Sequence, residues 1–423
     1  MFKSGKLSAV FLGLLLVVTV LTAGQQVVSF SDRNLEDAIR DAVFIDRGSL
    51  HDYDVEWLTV LEAADRGIAN LSGLQNCISL ATVILSNNEI SDLSPLRGPE
   101  LLVTAWLDNN KISSVSPLRS LTNLRDLNLA GNEISSIAPL DTLTRLETLN
   151  LRGNPVADLD ALRELTRLEN LTLSCESGCS IAPLHPLVRM INLSIETSSS
   201  INLTALGAMD ELVHLELISA DIDNFEPLRQ LPELTSFWVR DIELGDLVEF
   251  IDVLPNLEVI GVADMNVPSF DPIGELTELR EIHLESVTLD ELGVLFKFPH
   301  LTALTLSDVG LKDVGSLSVF YDLKTLDLSN NDIEDLQPVS ALILLENLDL
   351  SGNPIQSIAP IHTLKNLRSI DLSGTEISDI GLLLEFTNLE TVILRDLSLS
   401  FSSGSTASAV VESLQGRGVE VIR

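Results

Sequence analysis

The chain has 423 residues and a formal net charge of −36 at pH 7, because 62 acidic residues stand against 26 Lys and Arg. Binding to nucleic acid or to anionic membrane surfaces depends on Lys and Arg, so this composition argues against both kinds of partner. Aromatic residues make up only 4% of the chain, which fits thin layers of small apolar side chains better than one wide core.

The first 24 residues have the pattern of a secretory signal peptide. Lys3 and Lys6 precede an apolar run from Ala9 to Leu21, and small residues follow at positions 22–24. The run is short for a membrane span and suits a signal peptide; an uncleaved anchor is the alternative. We expect cleavage and a secreted, periplasmic or cell-surface protein. We expect no membrane insertion of the mature chain, since no second run of spanning length follows.

Residues 25–78 are predicted to form an N-terminal cap with a degenerate first repeat. Asp32 can cap a helix, and a second short helix is expected to begin at Asp52. The apolar residues of the first helix recur at helical spacing and are Leu35, Ala38, Ile39 and Val43.

From residue 79 the chain repeats with a period of 22. Block 123–144 reads NLRDLNLAGNEISSIAPLDTLT and block 145–166 reads RLETLNLRGNPVADLDALRELT, and both match the leucine-rich repeat pattern. Leu127 and Leu129 point to one side of a strand, and stacking of coils buries that side. The sequence predicts an α/β solenoid of about 15 coils over 79–394, a right-handed arc with a parallel β-sheet on its concave face. A short C-terminal cap is predicted over 395–423.

An asparagine ladder is predicted at the bend after each strand, where a buried amide can pair backbone groups. The residues at this position are Asn88, Asn110, Asn132, Asn154, Asn331 and Asn353. Between 167 and 321 the leucine frame continues, but the position holds residues such as Ala220 and Met265. We expect these divergent coils to differ in curvature. Block 233–255 is also one residue longer than the others.

Three segments resemble internalin-like bacterial leucine-rich repeat proteins. The N-terminal region combines NLEDAIRDAV with RGIANLSGL and ILSNNEISDLSPL, and the repeats carry D-[IL]-x-P-L after the bend. The closing AVVESLQGRGVEVIR resembles the helix and strand that end many such arrays. The resemblance covers nearly the whole mature chain and implies the fold. It implies no particular ligand, since members of the family bind unrelated ones.

The three cysteines matter because an exported chain meets oxidising conditions. Cys175 and Cys179 lie in one bend and can form a disulfide, or they can be two small residues at a turn; Cys77 stands alone. Two sulfurs with His185 nearby make a poor metal site, so no metal and no other cofactor are predicted.

No catalytic constellation is visible along the outward strand positions. No serine is paired with a base, and no glycine-rich loop precedes a helix in a phosphate-binding pattern. His214 and His283 are three coils apart, about 14 Å at the spacing of β-strands. We therefore predict that the protein is not an enzyme.

A candidate ligand-binding patch lies in the divergent coils. It centres on Trp238, with His214, Glu216, Arg240 and His283 as neighbours, and Trp and Arg are enriched at binding hot spots. Gly261 on the next strand is expected to leave the indole face open. The alternative is a large residue that lies on the sheet without a ligand.

Two other outward features carry weaker predictions. Asp327, Asp349 and Asp371 form a row in which adjacent carboxylates repel by somewhat under about 1 kcal/mol in water; it is either a solvated face or a site for a basic partner or weakly held cation. Trp106 beside Ile84 is expected to pack near the cap.

Together these observations predict a secreted or cell-surface binding protein. Its ligand is expected to be a protein that contacts the concave face, and the chain is expected to be a monomer. The alternative is an envelope structural or adhesion protein that binds polysaccharide.

Overall fold

The computed structural model describes residues 26–175, 178–222, 224–242, 251, 253–265, 267, 269–288 and 293–423. The predicted signal peptide, 1–24, lies outside these residues. The chain divides after Leu212 into two compact units, called here the N-terminal and the C-terminal unit. Among the described residues, no helix is both long and apolar enough to cross a membrane.

The N-terminal unit begins with two helices and a small antiparallel ribbon. Strand β1, Val27–Val28, pairs with β2, Leu50–His51. Helix α1, Arg33–Val43, starts where predicted, since Oδ1 of Asp32 accepts the backbone N–H groups of the first turn. Its predicted apolar stripe is buried, and α2, Asp52–Val55, follows.

The repeats of the N-terminal unit contribute one parallel sheet, in which each strand pairs in register with the next. The strands are β3 Val60–Glu62, β4 Thr82–Ile84, β5 Thr104–Trp106, β6 Asp126–Asn128, β7 Thr148–Val156, β8 Asn170–Cys175 and β9 Asn192–Thr197. A two-residue strand, β10, Ser200–Ile201, follows.

The C-terminal unit has a second parallel run of strands, and a helix precedes its last strand. Its strands are β11 His214–Ile218, β12 Asp221–Ile222, β13 Ser236–Arg240, β14 Val259–Ala263, β15 Glu281–Glu285, β16 Ala303–Ser307, β17 Thr325–Asp327, β18 Asn347–Asp349, β19 Ser369–Asp371, β20 Thr391–Ile393 and β21 Glu420–Ile422. Apart from β12, each pairs in parallel with the next. Helix α3, Thr406–Gly416, precedes β21.

Short 3₁₀ helices form the opposite side of the coils. In the N-terminal unit they are Leu74–Asn76, Ser94–Arg97, Ser116–Ser120, Ala138–Thr142, Asp160–Glu164, Ala182–Leu184 and Leu203–Ala208. In the C-terminal unit they are Glu226–Gln230, Asp271–Glu275, Gly293–Lys297, Gly315–Val319, Gln337–Ala341, Ala359–Thr363 and Gly381–Glu385.

The core of each unit is a stack of leucines and other aliphatic residues. Leu127 and Leu129 are fully buried, and so are Leu215 and Leu217, while the strand residues between them lie on the other face. Each coil adds one layer to a continuous apolar interior. The predicted α/β leucine-rich repeat solenoid, with its parallel sheet and helical N-terminal segment, is confirmed.

One backbone conformation marks the bend after the strand in most coils. The residue before the ladder position has φ between 48° and 69°, in the left-handed region that suits Gly, Asn and Asp. These residues are Asp65, Asn87, Asn109, Gly131, Gly153, Ser219, Asp241, Asp264, Ser286, Asp308, Asn330, Gly352, Gly374 and Asp396. The bend therefore continues through the coils whose sequence diverges.

Candidate functional site

The predicted ladder asparagines are buried and saturated with hydrogen bonds. Nδ2 of Asn132 donates to the carbonyls of Leu107, Leu129 and Ala130 at 3.0, 2.9 and 3.2 Å, and Oδ1 accepts the N–H of Ile112 at 3.0 Å. The amide thus joins its own coil to the preceding one. The same arrangement recurs at Asn88, Asn110, Asn154, Asn331 and Asn353.

In the C-terminal unit, longer strands accompany the loss of the ladder. Strands β11 and β13–β16 have five residues each, whereas β17–β20, where Asn331 and Asn353 return, have three. The ladder position is still buried, and it holds Ala220, Ile242, Met265, Val287 and Val309. Backbone pairing reaches the bend in both kinds of coil: Ser219 donates its N–H to the carbonyl of Arg240 at 2.9 Å, and Asn330, in a coil that keeps the ladder, donates to that of Ser351 at 2.8 Å. This lengthening was not visible in the sequence.

Two of the cysteines form a disulfide, and the third is a free thiol. Cys175, at the end of β8, is joined to Cys179 by a disulfide, and both are buried. Cys77 is a free thiol with no exposed surface, and its burial raises the pKa to about 12. No group of three or more metal-ligating side chains comes together in the described ranges.

The predicted ligand-binding residues lie on the outer face of neighbouring strands in the C-terminal unit, and we call them the Trp238 patch: His214, Glu216, Trp238, Arg240 and His283. Glu216 pairs in register with Trp238 across β11 and β13, and Trp238 pairs with Gly261 of β14. Gly261 pairs in turn with His283 of β15. All five side chains are half-buried, so they border solvent but are held in place.

The indole of Trp238 crosses over Gly261 and stacks on the imidazole of His283. The ring centroids are 4.7 Å apart and the planes differ by 26°. A methyl group at position 261 would overlap Cε3 and Cδ2 of the indole, so only glycine leaves room for this arrangement. Gly261 was predicted to leave an indole face open; the indole instead lies across that glycine, so the face toward Gly261 is covered.

His283 is fixed on its other side by two polar neighbours. Nδ1 lies 2.8 Å from Oγ1 of Thr305, and Nε2 lies 3.6 Å from Oε2 of Glu281. Burial lowers the pKa of His283 below its usual range, although the carboxylates of Glu281, Glu285 and Asp327 act in the opposite direction. The ring is therefore neutral at pH 7, and a proton on Nε2 would point at Glu281 while Nδ1 accepts the Thr305 hydroxyl.

Arg240 is locked between two carboxylates. Nη1 donates to Asp264 at 2.6 Å and Nη2 donates to Glu285 at 2.9 Å. Burial opposes the charge of the guanidinium, but the hydrogen bonds that it donates to Glu285 and Asp264 outweigh burial and raise the pKa of Arg240. Asp264 and Glu285 were missed from sequence, although both occupy outward positions that the repeat period brings next to Arg240.

His214 stands apart from the aromatic stack. Its Nδ1 lies 2.8 Å from Oγ of Ser236 on the next strand. Burial lowers the pKa of His214, and the nearby Glu216 carboxylate only partly offsets that effect. Of the predicted residues, the structure thus brings Trp238 and His283 into contact and places His214, Glu216 and Arg240 around them.

The aspartate row is aligned in register along β17, β18 and β19. Oδ1 of each of Asp327, Asp349 and Asp371 accepts, at 2.8 Å, the N–H of the serine two residues later. Burial raises the pKa of Asp349, and its two charged neighbours add to the shift against the Ser351 hydrogen bonds. In the N-terminal unit, Trp106 is 41% exposed and donates Nε1–H to Asp126 at 3.0 Å.

Comparisons with known proteins agree with this architecture. The family Leucine Rich repeats (2 copies) matches residues 101–142 and 343–384, and the family Leucine Rich repeat matches 322–336. No curated protein sequence matches the chain.

Solved structures match the chain over most of its length. The functional domain of InlJ from Listeria monocytogenes, which includes a cysteine ladder, is 19% identical with a TM-score of 0.57, over 88% of this chain and 82% of that one. A leucine-rich repeat protein of Leptospira interrogans is 22% identical with a TM-score of 0.56, over 86% and 95%. TLR13 in complex with ssRNA13 is 20% identical with a TM-score of 0.53, over 81% and 63%.

Proposed function

We propose that this leucine-rich repeat protein, whose fold is internalin-like, binds a protein partner through the Trp238 patch. The observation that carries the proposal is the indole of Trp238, held over Gly261 and against His283 on the outer face of the strands. An aromatic side chain already fixed in position loses little conformational freedom when a partner covers it. Tryptophan is also among the residues that contribute most to binding at protein interfaces.

The polar groups around the indole are also pre-arranged. Arg240 is oriented by Asp264 and Glu285, and His283 by Thr305. Such groups can fix the orientation of a partner without first being ordered, which is how preorganisation strengthens binding. The patch combines an aromatic centre with a polar border, the composition expected of a protein interface.

We propose that this binding takes place outside the cytoplasm. Residues 1–24 have the charge and apolar pattern of a signal peptide. The Cys175–Cys179 disulfide supports the same location, because such bonds persist in oxidising compartments.

Polysaccharide binding is the second candidate, and one observation favours it. The indole lies across the backbone of Gly261, and a flat aromatic ring on a shallow surface is a stacking platform for a sugar. A protein partner would instead contact neighbouring strands beyond the indole.

The test is capture of a partner by mature chain, residues 25–423, immobilised and exposed to extract from the native environment. Trp238→Ala is compared with wild type, and Trp106→Ala, another outward tryptophan on a strand, is the matched control. We expect Trp238→Ala to weaken binding of the captured protein by at least about 2 kcal/mol, roughly 30-fold, in a chain that stays folded. Equal binding by both variants would contradict the proposal. Capture of a polysaccharide but no protein would favour the second candidate.

A further inference from the structure

A recess in the N-terminal unit lies among three successive 3₁₀ helices, on the side of the coils opposite the strands. It is bordered by the helices Asp160–Glu164, Ala182–Leu184 and Leu203–Ala208 and by β10. Its volume is about 610 Å³, within the roughly 300–1,000 Å³ of sites that hold small organic molecules. We call it the Arg163 recess.

The apolar part of the Arg163 recess is held in place before any ligand binds. Ile181, Ile201 and Ala205 line it and are buried in the coils. Cys179 also lines it, and the disulfide to Cys175 ties this part of the lining to the end of β8. A lining that is already fixed can cover the apolar part of a ligand at little cost in conformational entropy.

Arg163 has hydrogen-bond donors that the protein leaves unused. Its Nε donates to Oδ1 of Asp160 at 3.1 Å, and these side chains are 47% and 70% exposed, so the ion pair contributes little. Within the described part of the chain, Nη1 and Nη2 form no hydrogen bond, and neither do Nδ2 of Asn202 and the ring of His185 in the same recess. Two N–H groups of one guanidinium match the two oxygens of a carboxylate.

The next recess along the coils has the opposite charge. It lies between the 3₁₀ helices Ala138–Thr142 and Asp160–Glu164 and has a volume of about 270 Å³. The carboxylates that line it are Asp141, Asp158, Asp160 and Glu164. Of the described residues that line the Arg163 recess, none is acidic. In a chain with 62 acidic residues, this contrast singles out the Arg163 recess as the one suited to a negatively charged group.

We propose that the Arg163 recess binds a small organic acid, with its carboxylate on Nη1 and Nη2 of Arg163 and its apolar body against Ile181 and Ile201. One permanent cation balances one negative charge, which a carboxylate supplies, whereas a phosphate monoester carries about −1.5 to −2 at pH 7. The acid can be the C-terminal residue of a peptide, whose last amide Asn202 can contact, or a free molecule. The inference does not rest on the proposed function, because the Trp238 patch belongs to the C-terminal unit.

The test follows binding of two acids and their amides to the full mature chain by ligand-observed NMR titration. N-acetylphenylalanine presents the end of a peptide, and 3-phenylpropionate presents a free acid. The amide of each keeps the apolar body and removes the charge. We expect the acids to bind and each amide to bind at least about tenfold more weakly, because hydrogen bonds to charged groups are the stronger ones. Tighter binding of N-acetylphenylalanine would assign the peptide end, and tighter binding of 3-phenylpropionate the free acid.

A substitution of the guanidinium tests the role of its charge. Arg163→Gln should weaken binding of the acids at least about tenfold and leave binding of the amides unchanged. The matched control is Arg229→Gln. Arg229 lies three repeats of 22 residues later, also on a 3₁₀ helix, and pairs with Glu226 as Arg163 pairs with Asp160. The control removes the same charge away from the recess and should change binding less than about twofold.

A second substitution tests the recess itself. Ala182→Phe, at an exposed lining position, should block the acids and the amides alike, whereas Ala138→Phe fills the acidic recess and should leave binding unchanged. Urea unfolding checks that each variant stays folded. Failure of both acids to bind, equal binding of acid and amide, or equal effects of Arg163→Gln and Arg229→Gln would overturn the inference. Full binding by Ala182→Phe would place the acids elsewhere and would also overturn it.

Discussion

A single buried amide joins neighbouring coils of the ladder, and its removal tests that role. Asn353 is 1% exposed and donates to the carbonyls of Leu328 and Leu350 at 2.8 and 3.1 Å. Asn353→Ala should lower the free energy of unfolding by about 1–3 kcal/mol, because buried backbone groups lose their partners. Asn347→Ala, which removes one exposed 3.3 Å contact to Thr325 in the same unit, is the control. Equal and negligible changes in urea unfolding would contradict a structural ladder.

The two half-buried histidines of the patch should make stability depend on pH. Burial lowers the pKa of His214 and His283 in the folded chain, whereas the unfolded chain binds protons at about pH 6.5. Below that pH the unfolded state gains protons first, so the free energy of unfolding should fall between about pH 7.5 and pH 5.5.

The double variant His214→Gln and His283→Gln should flatten this slope, measured by urea unfolding at several pH values. His362→Gln, at an exposed position, is the control and should keep the slope. A slope that survives the double variant would assign the pH dependence to other groups.

At the residue scale, the sequence predicted which residues lie in the Trp238 patch but not which contacts they make. The 22-residue period placed Trp238 and His283 on one face, and the structure stacks them. It did not predict that the indole fills the space over Gly261, because a side-chain rotamer is not encoded in the spacing. Arg240 was predicted to lie in the patch, but its two ion pairs were not, because they depend on carboxylates 24 and 45 residues away.

At the scale of elements, the pair Trp238 and Gly261 gives a prediction with two opposite signs. In wild type, Gly261→Ala should destabilise the C-terminal unit, because the new methyl group overlaps the indole. In a Trp238→Ala background the same change should be neutral or stabilising, since Ala in a strand loses less conformational entropy than Gly. The two effects should differ by about 0.5–3 kcal/mol in denaturant unfolding. Additive effects would show that the indole does not lie over Gly261 in solution.

The strands themselves were predictable and their lengths were not. Alternating leucines such as Leu215 and Leu217 place one strand in every coil, whatever the bend residue is. The loss of Asn at Ala220 or Val287 signals that a hydrogen-bonding side chain is missing. The loss of Asn does not reveal that the strand lengthens from three to five residues, because strand length depends on the backbone geometry of the paired strands.

At the scale of the whole molecule, the excess of acid should oppose folding by self-repulsion. With a net charge of −36, raising NaCl from about 0.01 M to about 0.1 M shortens the screening length from about 30 Å to about 10 Å. The melting temperature at pH 7 should therefore rise with salt over this range. Near pH 4.3, where the net charge vanishes, the effect should disappear. A fall with salt at pH 7 would mean that the ion pairs stabilise the fold more than the excess charge destabilises it.

The longer block between β13 and β14 has a practical consequence for protein engineering. Strand positions there are 23 residues apart, as between Trp238 and Gly261, instead of 22, yet the two strands pair without a shift. Register is therefore held by the leucines and the left-handed bends, and the chain between Arg240 and Val259 accepts a change in length. Removal of one residue from this longer block, which restores the 22-residue spacing, should therefore leave the pairing of Trp238 with Gly261 unchanged.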